Sequence, residues 1–147
     1  MKKNLLFIFL SLVSICTLAQ VTQINSNKSL SPQYPLSNTK AIYVAKDSTI
    51  WVTDGTLAGT VQLSTTIKFV GSMGSTAFMN GSMIFEGTTA ATGGELYITD
   101  GTSGGTTLIS DINPGAASSN PSGDFAVMNG YVYFFAERPA EGRELWR

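Results

Sequence analysis

Residues 96–106 read LYITDGTSGGT and share the core T-D-G-T-x-x-G-T with residues 50–60, IWVTDGTLAGT. A Leu-Trp pair returns at 145–146, so Trp51, Tyr97 and Trp146 hold equivalent positions, 46 and 49 residues apart. A second marker keeps this spacing: STAFMNGSMIF at 75–85 matches DFAVMNGYVYF at 124–134, which places Asn80 and Asn129 49 residues apart. Two independent markers with nearly the same period indicate a tandem repeat.

Four glycine-containing pairs predict the turns of each repeat. Asn80-Gly81 and Asn129-Gly130 lie between apolar runs, and Asn-Gly supplies the two positive φ angles that a type I′ hairpin turn requires. Asp54-Gly55 and Asp100-Gly101 follow the repeated aromatic strand. We expect each of these aspartates to accept hydrogen bonds from its own turn, with ligand binding as the alternative.

The strand YVYFFA at 131–136 is apolar on both faces, because aromatic and aliphatic side chains occupy odd and even positions alike. Such a strand needs cover on both sides. Sheets stacked face to face provide that cover, as in the blades of a propeller. The sequence therefore predicts an all-β fold of tandem four-stranded antiparallel repeats of about 46–49 residues, a partial β-propeller-like array covering most of 41–147.

Composition excludes several classes of function. The chain of 147 residues is 43% hydrophobic and 13% charged, which suits a protein with a packed core. It has no histidine, and thus lacks the usual base of serine and cysteine hydrolases and the imidazole ligands of most catalytic zinc sites. Without the first nineteen residues it carries seven basic and ten acidic side chains, so we expect no nucleic acid as a partner.

Residues 1–20 have the layout of a secretory signal peptide. Lys2 and Lys3 precede an apolar run, and small residues lead to Ala19. Serines interrupt the run, which is too short to span a bilayer, so we expect cleavage after Ala19 and no later membrane span. The signal resembles those of Gram-negative bacteria of the Bacteroidetes type. Cys16, the only cysteine, makes a lipoprotein the disfavoured alternative, because Ile15 stands where lipid attachment needs a small residue.

The chain divides into five predicted segments. These are a signal peptide at 1–19, a polar linker at 20–40, a divergent first repeat region at 41–94, a second repeat at 95–143, and the start of a third at 144–147. Because a closed propeller needs four to eight blades, we expect an N-terminal fragment of a longer repeat protein. Expressed alone, it should be marginally stable or self-associate.

Residues 49–147 closely resemble the ELWxxDGT repeat of large exported bacterial proteins. The resemblance implies a propeller-like array and no established common activity. The first unit departs from the pattern, with Thr49 where Glu95 stands and no counterpart of the later NPGAASSNP segment, as expected of a capping repeat. The recurrent family positions are Leu96, Tyr97, Asp100, Gly101, Thr102, Gly105, Thr106, Asp111, Asn113, Pro114, Gly115, Asn129 and Gly130.

Two sets of side chains are candidates for ligand binding. The repeated aromatics Trp51, Tyr97 and Trp146 serve either to stack on sugars or to pack the sheets, and recurrence once per repeat favours packing. Asp111 and Asn113 begin an oxygen-rich segment that is a weak calcium candidate. It does not fit an EF-hand, because Gly115 and Ser122 stand where ligands are needed.

Glu137, Glu141 and Glu144 are the carboxylates that an enzyme acting on glycosides would need. Arg138 and Arg143 beside them favour an ordinary charged loop. We therefore expect an exported structural or binding module of the cell exterior, with a protein or glycan partner, no catalytic residue and no cofactor. The alternatives are a carbohydrate-processing enzyme and a calcium-dependent adhesion module.

Overall fold

The computed structural model describes residues 30–71 and 73–147, with side chains described from Tyr34 onward apart from residues 72 and 73. The predicted signal peptide, Cys16 and the first part of the predicted linker lie outside the described residues. The described chain forms twelve strands in three consecutive antiparallel sheets. Its single helical element is one 3₁₀ turn, Met73–Ser75, so the predicted all-β fold is confirmed.

Sheet 1 contains four strands in chain order: β1 (Leu30–Pro35), β2 (Ala41–Ala45), β3 (Ile50–Thr53) and β4 (Val61–Gln62). β1 corrects an expectation, since it lies in the stretch assigned to a polar linker. Its backbone pairs with β2, and Tyr34 is buried in the core with its ring 5.9 Å from that of Phe69. Main-chain pairing and one buried aromatic ring thus outweigh the polar composition of this segment.

Sheet 2 contains β5 (Lys68–Phe69), β6 (Thr76–Met79), β7 (Ser82–Thr89), β8 (Gly93–Thr99) and β9 (Thr107–Ser110). The long strand β7 pairs with β6 along its first half and with β5 near its end. Sheet 3 contains β10 (Ser122–Met128), β11 (Tyr131–Arg138) and β12 (Gly142–Trp146). The sequence repeat at 95–143 begins within β8 and ends within β12, so one repeat spans two sheets.

Both Asn-Gly pairs form the tight hairpins that their residue types favour. Asn80 and Gly81 have φ angles of 52° and 76°, and Asn129 and Gly130 have 53° and 77°. These are the two positive φ values of a type I′ turn. The turns join β6 to β7 and β10 to β11, with Met79 opposite Ser82 and Met128 opposite Tyr131.

Sheet 2 lies between the other two sheets and contributes one face to each core. Met83, Phe85 and Tyr97 belong to a cluster shared with sheet 1. Ile84 and Leu96 belong to a second cluster shared with sheet 3. Because successive side chains of a strand point to opposite faces, the alternation along β7 places both sets correctly and explains why its segment 83–85 is apolar at every position.

Sheet 3 is covered on one face only within the described part of the chain. Val132, Phe134 and Ala136 are buried against sheet 2, whereas Phe135 on the other face exposes 44% of its surface. The expectation that this strand is covered on both sides therefore holds for the equivalent strand of sheet 2 and not for β11. The described residues contain no helix of the length and apolarity that a membrane crossing requires.

Candidate interaction site

The T-D-G-T-x-x-G-T segment after β3 and after β8 forms the same hydrogen-bonded loop twice. In the second copy Asp100 Oδ1 accepts hydrogen bonds from the Thr102 N–H at 2.8 Å and the Thr102 hydroxyl at 2.7 Å. The Thr102 hydroxyl oxygen in turn accepts the Gly105 N–H at 3.0 Å. Asp54 in the first copy makes the equivalent bonds to Thr56 at 2.9 and 2.7 Å.

Two further threonines close each loop. Thr106 donates its hydroxyl hydrogen to the Thr102 carbonyl at 2.6 Å, so its oxygen accepts the hydrogen of Thr99 at 2.7 Å. The first copy has the matching Thr53–Thr60 contact at 2.8 Å. The aspartate and threonine side chains of the motif therefore make hydrogen bonds to groups of the same loop. These bonds explain why the motif has these residue types without a bound ligand.

The loop aspartates also have altered acidity. Hydrogen bonds from the hydroxyl and then from the backbone N–H of Thr56 lower the pKa of Asp54, and the same two groups of Thr102 lower the pKa of Asp100. Both carboxylates are solvent-exposed. Their charge stabilises the turn because ionised acceptors make stronger hydrogen bonds than neutral ones.

Glu95 is fully buried, and its carboxylate holds the connection between sheets 2 and 3. One oxygen accepts the Ile112 N–H at 2.9 Å and the Ser119 hydroxyl at 2.6 Å. The other accepts the backbone N–H groups of Ser119 at 2.9 Å and Asn113 at 3.3 Å. Four donors from one loop satisfy a buried charge that would otherwise be costly.

The first repeat shows what replaces this carboxylate. Thr49 stands at the position of Glu95 and is also buried, but its hydroxyl donates to Asp47 and accepts from the indole N–H of Trp51 at 2.9 Å. The chain after sheet 1 has no NPGAASSNP segment and passes directly into β5. Glutamate and the long connecting loop thus occur together because the loop donates the hydrogen bonds that the carboxylate accepts.

Glu86 is a second acidic residue with little exposure, 9%. Burial raises its pKa, and the negative charge of Glu95 raises it further. A Cβ added at Gly94 would lie 3.2 Å from Glu86 Oε1 and 3.2 Å from the Ser118 hydroxyl. Glu86 therefore lies beside the same connecting loop, a position that the repeat pattern gave no reason to expect.

Tyr97 and Trp146, two of the three repeated aromatics, have different environments. Tyr97 exposes only 2% and its hydroxyl is hydrogen-bonded to Thr92 at 2.8 Å, so its ring packs the core and cannot stack on a sugar. Trp146 is half-buried, with its indole N–H donating to the Ala136 carbonyl at 3.3 Å and the Arg138 guanidinium 5.0 Å from its ring. It lines a groove between sheets 2 and 3 together with Leu96 and Ile109.

The calcium candidates are engaged within their own loop. The side-chain amide of Asn113 donates to the Ser118 carbonyl at 3.1 Å, and Asp111 Oδ2 accepts the Gly115 N–H at 3.3 Å. Asp111 Oδ1 is buried and has no hydrogen-bond partner within the described part of the chain. The described residues contain no group of three or more acidic, histidine or cysteine side chains arranged to hold a metal.

The candidate catalytic carboxylates lie around the turn between β11 and β12. Glu137 is 3.7 Å from Arg143, and Glu141 is 3.8 Å from Arg138, in half-exposed ion pairs. Glu144 is exposed on the edge strand β12. These two ion pairs are the arrangement that an ordinary charged loop would show.

The surface that the sequence did not single out is the open face of sheet 3, formed by Met128, Tyr131, Phe135 and Leu145, which expose 44–62% each. Arg143 lies over the Phe135 ring at 5.4 Å and Arg147 over the Tyr131 ring at 4.6 Å. Large apolar groups gathered on one face are typical of an interaction site. Repeat alignment could not have found it, because Leu145 aligns with Leu96, which is buried.

Comparisons of this chain with protein-family models, curated proteins and solved structures found no match.

Proposed function

We propose that this chain is an exported, non-catalytic repeat module of the cell exterior, of the ELWxxDGT type, which stacks β-sheets and meets its partners through exposed loops and faces. The observation that carries the proposal is the use of the repeated polar residues. Asp54, Asp100 and the threonines of both loops bond to their own loops, and Glu95 bonds to the connection between two sheets.

Residues with such internal roles do not bind a substrate. Glu95 has no exposed surface through which to touch one, and Glu137 and Glu141 face arginines. What remains for recognition is the open face of sheet 3, where aromatic rings and arginines alternate. That composition suits a protein or a glycan at the cell exterior, and the surplus of acidic residues argues against nucleic acid.

Export is tested by expressing the full chain in a Gram-negative host and sequencing the N-terminus of the product outside the cytoplasm. We expect the product to begin at Gln20. Retention of the chain in the cytoplasm with residues 1–19 intact would overturn the proposed location.

The non-catalytic role is tested by incubating the purified protein with a panel of polysaccharides and measuring released reducing ends. We expect no hydrolysis above that of a buffer blank. Hydrolysis that is lost in Glu137→Gln, Glu141→Gln or Glu144→Gln would establish the glycoside-processing alternative instead, with Glu→Gln chosen because it removes the proton-transfer group while keeping its size.

A further inference from the structure

Besides the open face of sheet 3, the structure has a second surface with polar groups that the fold does not use. It lies where the loop between β1 and β2, residues 36–40, meets the loops that follow β3 and β8. Two adjacent cavities of about 330 and 320 Å³ open there, and Lys40 and Asp54 line both. Each volume is at the lower end of the roughly 300–1,000 Å³ found for small-molecule sites, so each cavity suits a small group and not a folded partner.

The loop at 36–40 has a fixed shape. The backbone N–H groups of Leu36 and Ser37 donate to the Lys40 carbonyl at 3.0 and 3.1 Å, and the Ser37 hydroxyl accepts the Lys40 N–H at 3.1 Å. The Leu36 side chain packs on Gly101 of sheet 2 so closely that a Cβ at Gly101 would lie 2.6 Å from Leu36 Cδ2. The cavities are therefore preformed, which avoids the cost of ordering a loop on binding.

Three exposed side chains in the lining have no hydrogen bond of their own to the rest of the described chain: Asn38, Lys40 and Ser103. The ammonium donates, whereas the amide and the hydroxyl both donate and accept. Buried Val52 and Leu63 supply part of the apolar lining of the larger cavity. A few polar groups beside an apolar surface are the usual composition of a small-molecule site.

The charges around Lys40 favour a neutral ligand. Hydrogen bonds from the Thr56 and Thr102 hydroxyls lower the pKa of Asp54 and Asp100 most, and the nearby charge of Lys40 lowers both pKa values further. An anion would meet two carboxylates beside a single ammonium, and a cation would meet the ammonium, which lines both cavities. A neutral ligand rich in hydroxyl groups avoids both conflicts.

The backbone of the surrounding loops does not offer the groups that bind an extended peptide. The Lys40 N–H is bonded to Ser37, and the Gly59 N–H is bonded to the Thr56 hydroxyl at 2.9 Å. Recognition of a peptide strand depends on unpaired backbone groups. The groups that remain in these cavities belong to side chains, and they match the hydroxyl groups of a glycan.

Lys40 has no counterpart in sheet 2. The pairing of β2 with β3 and of β7 with β8 aligns Lys40 with Ser82, and the two-residue turn Asn80-Gly81 replaces the loop at 36–40. The repeated residues form the scaffold, whereas Lys40 and Asn38 belong to a loop that is specific to the first repeat. Binding residues commonly lie on such loops because a rigid scaffold positions them.

We propose that these two cavities bind two adjacent sugar residues of a neutral glycan. Lys40 donates to hydroxyl groups of both sugars, Asn38 bonds to the sugar in the smaller cavity, and Ser103 bonds to the sugar in the larger one. This inference rests on the proposed function and deepens it, because it names the class of glycan and a site apart from the open face of sheet 3.

The test titrates the ¹⁵N-labelled protein with neutral oligosaccharides prepared from starch, cellulose, mannan and xylan. We expect at least one of them to shift the amide signals of Asn38, Lys40 and Ser103 saturably and to leave those of Tyr131 and Phe135 unchanged. Raising the salt concentration about tenfold should change the affinity less than about twofold, because salt screens charges and the ligand has none.

Matched lysine variants decide whether the cavities hold the sugar. Lys40→Gln and Asn38→Ala should each weaken binding at least about fivefold, since each removes a hydrogen-bonding group from the site. Lys46→Gln is the control, at an exposed lysine that follows β2 at its other end, and it should leave binding unchanged. All three residues are exposed, so the melting temperatures should stay within about 2 °C and separate lost binding from unfolding.

Four results would overturn the proposal. These are no saturable shift at the three amides with any of the oligosaccharides, shifts at Tyr131 and Phe135 alone, tighter binding of an acidic oligogalacturonate at the same amides, or equal effects of Lys40→Gln and Lys46→Gln. The second result would place the glycan on the open face of sheet 3, and the third would mean that the ligand is an anion. None of them measures export or hydrolysis, so failure here is distinguishable from failure of the proposed function.

Discussion

The hydroxyl and the backbone N–H of Ser119 both donate to the buried carboxylate of Glu95, at 2.6 and 2.9 Å, across 24 residues of chain. This pair joins β8 of sheet 2 to the loop that leads into β10 of sheet 3.

Replacing Glu95 by Gln should destabilise the protein by about 2–4 kcal/mol. The amide keeps the size of the side chain but loses its charge and turns one acceptor into a donor that faces N–H or O–H groups. Urea unfolding followed by circular dichroism measures the loss. Glu144→Gln is the matched control at the same repeat position, and we expect it to change stability by less than about 0.5 kcal/mol because Glu144 is exposed. Equal effects of the two variants would contradict the assigned role of Glu95.

Gly105→Ala should cost about 1–3 kcal/mol, because a Cβ there would collide with the Asp100 carboxylate. In an Asp100→Ala background the same change should cost much less, since the colliding group is gone. A double-mutant cycle from thermal unfolding gives the coupling. Gly104→Ala is the control, as a Cβ at Gly104 meets no atom within 4 Å. If the effects of the two single variants on the free energy of unfolding simply add in the double variant, Gly105 and Asp100 do not interact.

Glu86→Gln should raise stability at neutral pH. Burial and the charge of Glu95 raise the pKa of Glu86 in the folded protein, so the folded state favours the protonated side chain. The associated stability is present below the ordinary pKa of a glutamate and is lost as the pH rises through the raised value. The advantage of the variant should therefore grow across that interval and vanish in acid. Unfolding free energies measured against pH for both proteins test this, and a constant difference would refute it.

The stability that the loop aspartates provide should depend on pH in the opposite direction and decrease in acid. The pKa of Asp54 and of Asp100 is lowered by hydrogen bonds from Thr56 and Thr102. The stability that these bonds provide is present above the ordinary pKa of an aspartate and is lost as the pH falls through the lowered value. The double variant Asp54→Ala, Asp100→Ala should be less stable at neutral pH and lose less on acidification. If both proteins lost the same unfolding free energy on acidification, this would be contradicted.

Calcium removal should leave the melting temperature unchanged. Calcium takes six to eight oxygen ligands, whereas the Asn113 amide and Asp111 Oδ2 are already bonded within their loop. Melting curves of the protein in calcium and in a chelator give the comparison. A rise of several degrees in calcium would show that calcium binds the folded protein, with Asp111 Oδ1, which is buried without a hydrogen-bond partner in the described chain, as the candidate ligand.

The sequence predicted the features that depend on neighbouring residues. Asn80-Gly81 and Asn129-Gly130 fix two turns because their backbone preferences act within four residues. Asp100 and Thr102 form a loop of short-range hydrogen bonds. The repeat period did not give the number of strands in each described sheet, because four-stranded units were expected and the sheets contain four, five and three strands. The role of Glu95 was not predicted, because its partners lie up to 24 residues away and composition does not reveal which loop covers which carboxylate.

Strand spacing, turn types and the all-β class were thus determined by the sequence itself, through local backbone preferences and the two-residue period of apolar side chains. Only the tertiary structure decided that β1 joins sheet 1, that Glu95 is buried under the connecting loop, and that Leu96 is covered while Leu145 is open. The physical reason is that burial depends on which sheet packs against a given face. Two leucines with the same local sequence pattern differ in exposure solely because one has a neighbouring sheet within the described chain and the other has none.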